Sequence, residues 1–295
     1  MSQNAVSVEI LRKIRHIEIA IRKKVNQIFQ GEYRASFKGQ GMAFADFREY
    51  VPGDDVRRIS WIVSARTGKT YVKQFEEERE LSVVVLLDVS GSMNFGTGFM
   101  TKKDVAVYLG ATLAMSAIKN RDLVGLLLFS ETTDYWLPPK KGRNQLMRLI
   151  RDMVVISGRG RQTRLSAALT FLNKVLKKKS LIFIISDLIA MGEYQNDLSH
   201  LTRKHELNVF LVEDGMEREL GKQMGWIGLQ DLETQDVRWV QFSDYELKKK
   251  YASHVEHQKG EAIKVFRSYG VDVVRVPVGP DWDRVLMQFF KKRRA

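Results

Sequence analysis

Asp88, Ser90 and Ser92 stand at alternate positions near the end of Leu81 to Met93, which reads Leu-Ser-Val-Val-Val-Leu-Leu-Asp-Val-Ser-Gly-Ser-Met. One carboxylate and two hydroxyls offer only oxygen donors, which suit Mg²⁺ or Mn²⁺ better than zinc. Two more oxygen-bearing residues hold comparable places downstream. Asp187 follows a second apolar run, Leu181 to Ile185, and Thr163 closes the Gly/Arg loop that starts at Ser157. The candidate metal ligands are therefore Asp88, Ser90, Ser92, Thr163 and Asp187. Neutral hydroxyls among the donors keep a bound cation electrophilic, and an open position can accept an external carboxylate. The competing structural reading is that Asp88 and Ser90 only cap the helix beginning near Thr101.

These residues need a scaffold that brings three loops to one place. A β-branched run that stops abruptly at Asp88 reads as a strand buried on both faces. Its polar end falls at the carboxyl edge of a parallel sheet, where open α/β folds place their ligands. The pattern then alternates as in a doubly wound α/β domain. Helices are expected at Thr101 to Lys119, Arg143 to Val154, Ser166 to Lys178, Tyr194 to Lys204, Asp244 to Ser268 and Trp282 to Lys292. Strands are expected at Leu123 to Phe129, Leu181 to Ile185, Val209 to Val212 and Val271 to Val276. A short edge strand at Tyr135 to Leu137 should end at Pro138-Pro139. Residues 216–243 read as an insertion, with a hairpin built from Gly228-Leu229 and Val237 to Phe242. Right-handed crossovers bring the Asp88, Thr163 and Asp187 loops to one edge.

Two segments precede this domain, which spans residues 81–295. Residues 1–30 form an amphipathic helix, with Ile10, Leu11, Ile14, Ile17, Ile21, Val25 and Ile28 on one stripe. A basic amphipathic helix can lie on a membrane, but Glu9 and Glu18 interrupt its basic face and favour packing on the protein itself. Residues 31–80 read as a small β-rich subdomain with strands in Phe44 to Val51 and Tyr71 to Phe75. Thr67-Gly68-Lys69 is expected at the tip of a hairpin. Ion pairing among Asp54, Asp55, Arg57 and Arg58 is expected to fix a turn.

Composition narrows the function classes. No apolar run in the 295 residues approaches the ~20 that a membrane span needs. The N-terminus lacks the pattern of a secretory signal, so a cytoplasmic location is expected. The absence of cysteine excludes disulfides, thiolate metal sites and cysteine catalysis. A net charge of +13 invites nucleic acid, but the basic residues are spread out and no nucleic-acid motif accompanies them. Solvated helix faces and an acidic protein partner explain them better. A Mg²⁺-dependent phosphohydrolase is the enzymatic rival. It requires a carboxylate two residues after the nucleophilic aspartate, where Ser90 stands, and serine is no general acid at neutral pH. A serine hydrolase fails because no histidine is expected at the strand edge.

Asp88-Val89-Ser90-Gly91-Ser92-Met93 resembles the metal-ion-dependent adhesion site of von Willebrand factor A domains, and Thr163 and Asp187 match the residues that complete it. Upstream, Arg48-Glu49-Tyr50-Val51-Pro52-Gly53-Asp54-Asp55-Val56-Arg57, Ala65-Arg66-Thr67-Gly68 and Lys73 to Glu80 resemble the bacterial family called domain of unknown function 58. The resemblance implies an α/β, von Willebrand factor A-like, mostly parallel sheet. It also implies a non-enzymatic protein-interaction module with bound Mg²⁺, whose last coordination position takes a partner's acidic side chain. The implied partners are a MoxR-type AAA+ ATPase and its client proteins, during maturation or complex assembly. Two positions depart from the pattern. Ser60 precedes Trp61 where an aspartate is usual. Arg164 follows Thr163 where an aspartate is common, and a guanidinium aimed at the site would oppose a cation.

Overall fold

Most of the N-terminal stripe is buried against the protein's own helices: Ile14, Ile17, Ile21 and Val25 are shielded from solvent, whereas Leu11 is 61% exposed. The computed structural model describes residues 3–25, 33, 46–54, 56, 59–74, 81–160, 162–189, 191–217, 226–230, 237–241 and 245–294. Its first helix, α1 (Gln3–Lys24), carries that stripe. Ion pairs fasten the helix at its polar margins, from Lys13 to Asp104 at 2.7 Å and from Arg143 to Glu18 at 2.9 Å. Ile28 lies outside the described residues. Tyr33 is buried edge-on against Phe290.

The next segment differs from its expected form. Strands β1 (Asp46–Glu49) and β2 (Tyr71–Gln74) do pair antiparallel, with Asp46 opposite Gln74. Between them, however, runs a helix, α2 (Trp61–Thr67), so Ser60-Trp61-Ile62 begins a helix and Thr67-Gly68-Lys69 is no hairpin tip. Gly68 ends that helix with φ 73°, and its N–H bonds to Ser64 O. This left-handed C-terminal cap favours glycine. Asp54 fixes a turn with Arg48, which it meets at 2.5 Å, and with the Val51 N–H at 3.0 Å. Asp55, Arg57, Arg58 and residues 75–80 lie outside the described residues, as does Phe44.

From residue 82 the chain builds β3 (Ser82–Asp88), α3 (Lys102–Lys119), β4 (Leu123–Phe129), β5 (Thr133–Lys140), α4 (Arg143–Val155), α5 (Leu165–Val175), β6 (Ser180–Ser186), α6 (Gln195–Lys204) and β7 (Glu206–Glu213). It continues through β8 (Trp226–Gln230), β9 (Val237–Gln241), α7 (Tyr245–Ser268), β10 (Asp272–Pro277) and α8 (Trp282–Arg294). The main sheet has the order β10-β7-β6-β3-β4-β5, with β5 alone antiparallel to its neighbour. Strands β8 and β9 pair antiparallel in a sheet of their own.

Alternate residues of β3 face opposite layers, as the pleat requires. Val83, Val85 and Leu87 join the core with α1, α3, α4 and α8, while Val84 and Leu86 pack with α5, α6 and α7. Each such side chain contributes about 1.5–3 kcal/mol by leaving water, so the end of β3 is held rigidly. The chain moves from β3 to β4 on one side and later returns to β6 on the other. This is the topological switch point of a doubly wound sheet, with a crevice at the carboxyl ends of β3 and β6.

Two element ends depart from the sequence reading. Strand β5 continues through Pro138-Pro139 to Lys140, because an edge strand has one side free of ladder bonds. The register shifts between Val124 and Leu126, and Gln145 Nε2 donates to Pro138 O at 2.9 Å. Helix α5 stops at Val175, since Leu176 is already extended and packs on the core. Among the described residues, no helix is long and apolar enough to cross a membrane.

Candidate functional site

Asp88 is the last residue of β3 and is fully buried. Its Oδ1 accepts the Ser90 N–H at 2.9 Å, and its Oδ2 accepts the Ser186 hydroxyl at 2.7 Å. The chain then turns through a single 3-10 turn at Gly91–Asn94, which sets the Ser90 and Ser92 hydroxyls 3.2 Å apart. Asp88 and Ser90 thus do not cap α3. That task falls to Thr101, whose side chain accepts the Asp104 N–H while Asp104 accepts the Thr101 N–H.

The loop with Thr163 is fastened over the ends of β3 and β4. Gly158 N–H donates to Val89 O at 3.3 Å, Gly160 N–H to Ser130 Oγ at 3.1 Å, and Arg164 N–H to Ser130 O at 2.9 Å. A Cβ on Gly158 would lie 2.5 Å from Val89 O, so only glycine permits this approach. Thr163 is 3% exposed, and its Oγ1 has no hydrogen-bond partner among the described residues. A buried hydroxyl without a partner is costly. Arg164 is exposed, so its charge is turned to solvent rather than buried with Thr163.

Asp187 directly follows β6 and is also fully buried. Its Oδ1 accepts the Ile189 N–H at 3.2 Å, across a turn in which Leu188 has φ 55°. A left-handed leucine is strained, and the Ser186 hydroxyl holds it by accepting the Leu188 N–H at 3.1 Å. Asp187 Oδ2 accepts from Lys102 Nζ at 2.6 Å, and Lys102 also donates to Glu217. Hydrogen bonds thus join Asp88 to Ser90 and Ser186 and Ser90 to Ser92, Asp187 acts on Asp88 from the adjacent strand end, and Thr163 stands outside these bonds on the loop fastened to Val89 and Ser130.

The two carboxylates differ in their surroundings. Burial first, then the neighbouring Asp187 carboxylate, pushes Asp88 up to about 7. Among the described residues no ion pair reaches Asp88, whereas Asp187 has Lys102. Burial alone would lower the Lys102 pKa, but Asp187 and Glu217 carry it above the ordinary value, so it remains a cation. Nearby, Asp214 accepts the Thr97 N–H and hydroxyl at 2.8 and 2.6 Å. Burial opposes its ionisation, but these bonds and that from Met216 N–H hold its pKa below the ordinary value.

Sequence reasoning missed Lys102, Ser186, Asp214 and Glu217. One signal pointed to Lys102: a cation in the first turn of a helix opposes the helix dipole, which implies an acid close by. The histidines offer no base here. His205 is buried at the opposite end of the sheet, where its Nδ1 accepts the Ser180 N–H.

Residues 46–261 match a family model described as Protein of unknown function DUF58. An uncharacterized protein of Mycobacterium tuberculosis is 27% identical over 284 residues, covering 95% of this chain and 89% of that one. A second uncharacterized protein, from Mycobacterium avium, is 26% identical over 160 residues, covering 54% and 94%. Among solved structures, BatB of Bacteroides thetaiotaomicron is 15% identical with a TM-score of 0.46, covering 72% of this chain and 98% of that one. The SpRpn10 VWA domain is 11% identical with a TM-score of 0.38, covering 71% and 95%. The family match takes in the small β1–α2–β2 segment and strands β3 to β7 of the main sheet, with Asp88, Thr163 and Asp187 inside it, and the chain belongs to the DUF58 family.

Proposed function

We propose that this chain is a non-enzymatic, metal-dependent protein-interaction module. In this reading Asp88, Ser90, Ser92, Thr163 and Asp187 bind Mg²⁺ or Mn²⁺, directly or through water, and a partner's acidic side chain completes the coordination. The observation that carries it is a buried, charge-unmatched Asp88 beside hydroxyls, with Thr163 Oγ1 left unpartnered. A small hard cation would satisfy both groups. Among the described residues no three His, Cys, Asp or Glu side chains are grouped to hold a metal. Any cation here must therefore use the hydroxyls, and that leaves it electrophilic toward an external carboxylate.

The absence of a second acid at Ser90 also favours binding over phosphoryl transfer. From the family resemblance, the proposed partners are a MoxR-type AAA+ ATPase and client proteins in maturation or complex assembly. The test is thermal unfolding of the whole chain with and without millimolar Mg²⁺ or Mn²⁺. A ligand that binds only the folded state raises the melting temperature. The increment should vanish in Asp88→Ala and Ser92→Ala; an unchanged wild-type curve in metal would sink the reading. Turnover of an aryl phosphate that disappears in Asp88→Ala would instead establish the enzymatic rival.

A further inference from the structure

Behind Asp187 lies a buried row of alternating charges. Lys102 is 1% exposed and is shared between Asp187, at 2.6 Å, and Glu217. Glu217 also accepts from Lys259, which is 0% exposed, at 2.7 Å. Lys259 lies 4.0 Å from Glu213, and Arg275 reaches Glu213 at 3.4 Å and Glu256 at 2.6 Å. The row thus runs from the candidate site to the half-buried Arg275 on β10. Glu217 stands immediately before residues 218–244, and Lys259 lies on the helix that follows them.

Asp187 has only two oxygens to offer. One accepts the Ile189 N–H and the other accepts from Lys102. A cation beside Asp88 therefore meets one unmatched carboxylate, because the charge of the second is largely cancelled. How completely it is cancelled depends on how Lys102 divides its ammonium between Asp187 and Glu217.

Resting on the metal-dependent reading above, we propose that Lys102 is a positioning residue that sets the cation affinity of the site. It acts through Asp187, and Glu217 moderates it. Without the Lys102 charge, Asp187 acts on the cation at full strength and affinity rises. Without the Glu217 charge, Lys102 weighs on Asp187 alone and affinity falls. The arrangement keeps intrinsic metal binding weak, so that a partner's carboxylate makes a large difference. It also links the site to the residues that bracket the 218–244 segment.

A purely structural role predicts something else. Either substitution would then break the same buried pair, and both would weaken binding or leave it alone. The experiment is a titration of the whole chain with Mn²⁺ alone at pH 7.5, followed by the electron paramagnetic resonance signal of free Mn²⁺. Lys102→Met, close in shape to lysine, should bind about tenfold tighter or more. Glu217→Gln should bind about threefold weaker or more. If Lys102→Met does not fold, the double variant Lys102→Met/Glu217→Gln is read in its place; it too frees Asp187 and should bind tighter than wild type. Shifts in the same direction, or none, overturn the role of Lys102 while leaving the site itself standing. No Mn²⁺ binding by any of these proteins overturns the site reading and this inference together. Binding by Lys102→Met but not by wild type supports the inference, since lysine then masks the site.

Discussion

The two ends of the main sheet both hold buried polar atoms without partners, yet their charge is balanced differently. At the amino end, His205 Nε2 and Asn208 Nδ2 are unpartnered among the described residues. His205 is kept neutral by burial, then by Lys204, both of which lower its pKa. Since its Nδ1 accepts the Ser180 N–H, the proton sits on Nε2, and both unpartnered atoms are donors. Charge there is matched, because Arg293 pairs with Glu206 and donates to Asn208 Oδ1. At the carboxyl end, the unpartnered atom is a hydroxyl oxygen that can accept, and the carboxylate of Asp88 has no ion pair among the described residues. Idle donors beside matched charge are a local cost of packing. An idle acceptor beside unmatched negative charge is what a cation relieves.

Removing charge should therefore have opposite effects at the two ends. The folded-state pKa of Asp88, about 7, lies above its ordinary 3.8. The folded protein then holds a proton that the unfolded chain has released, so the contribution of Asp88 to stability is greatest below pH ~4 and is lost as pH rises to about 7. The cost at pH 8, without metal, is on the order of 2–4 kcal/mol. Asp88→Asn should recover most of it and flatten the stability profile between pH 5 and about 7.5, measured by urea unfolding in chelator. The same variant should lose the metal increment, and wild-type metal affinity should climb as pH rises through about 7, because the cation competes with that proton. At the other end, Arg293→Met should destabilise by about 1–2 kcal/mol at pH 6 and pH 8 alike, with the metal response intact. Destabilisation by Asp88→Asn in chelator at pH 8 would erase the contrast.

How far these differences could be read beforehand depends on where each signal lies. Strands β3 and β6 were legible because both faces are covered, which leaves continuous apolar runs that end in Asp88 and Asp187. Ser90 and Ser92 were legible because local spacing places them. Helix α2 was hidden, since none of its residues is buried and Trp61 and Ile62 are 71% and 77% exposed. A helix without a buried face has no apolar period to detect. Strand β5 passes through Pro138-Pro139 because it lies at an edge, a fact of the sheet order rather than of the dipeptide. The Lys102–Glu217 pair spans 115 positions, and no local pattern encodes such a contact. The helix dipole argument points to an acid near Lys102 without saying which one.

Thr163→Val should produce a smaller version of the Asp88 effect. Valine matches threonine in shape and removes an unpartnered buried hydroxyl, so the metal-free protein should gain about 0.5–1 kcal/mol. The metal increment should shrink at the same time, as one neutral ligand is lost. Reduced stability in chelator would mean that Oγ1 is satisfied in the free protein, and the difference between the two sheet ends would narrow accordingly.

Arg164→Ala should do least. The sequence raises the concern that a guanidinium next to Thr163 opposes a cation, and within about 4 Å the cost would be several kcal/mol. The structure leaves Arg164 exposed while its backbone N–H is held by Ser130 O. Solvent then screens the charge, and the substitution should alter stability by less than about 0.5 kcal/mol. In the Mn²⁺ titration its affinity should stay within about threefold of wild type at 0.15 M salt. A tenfold gain would mean that Arg164 turns inward when no metal is bound. Lys102 would then have a second basic neighbour competing for the same carboxylates, and Asp88 would no longer be the unmatched charge that sets the two ends of the sheet apart.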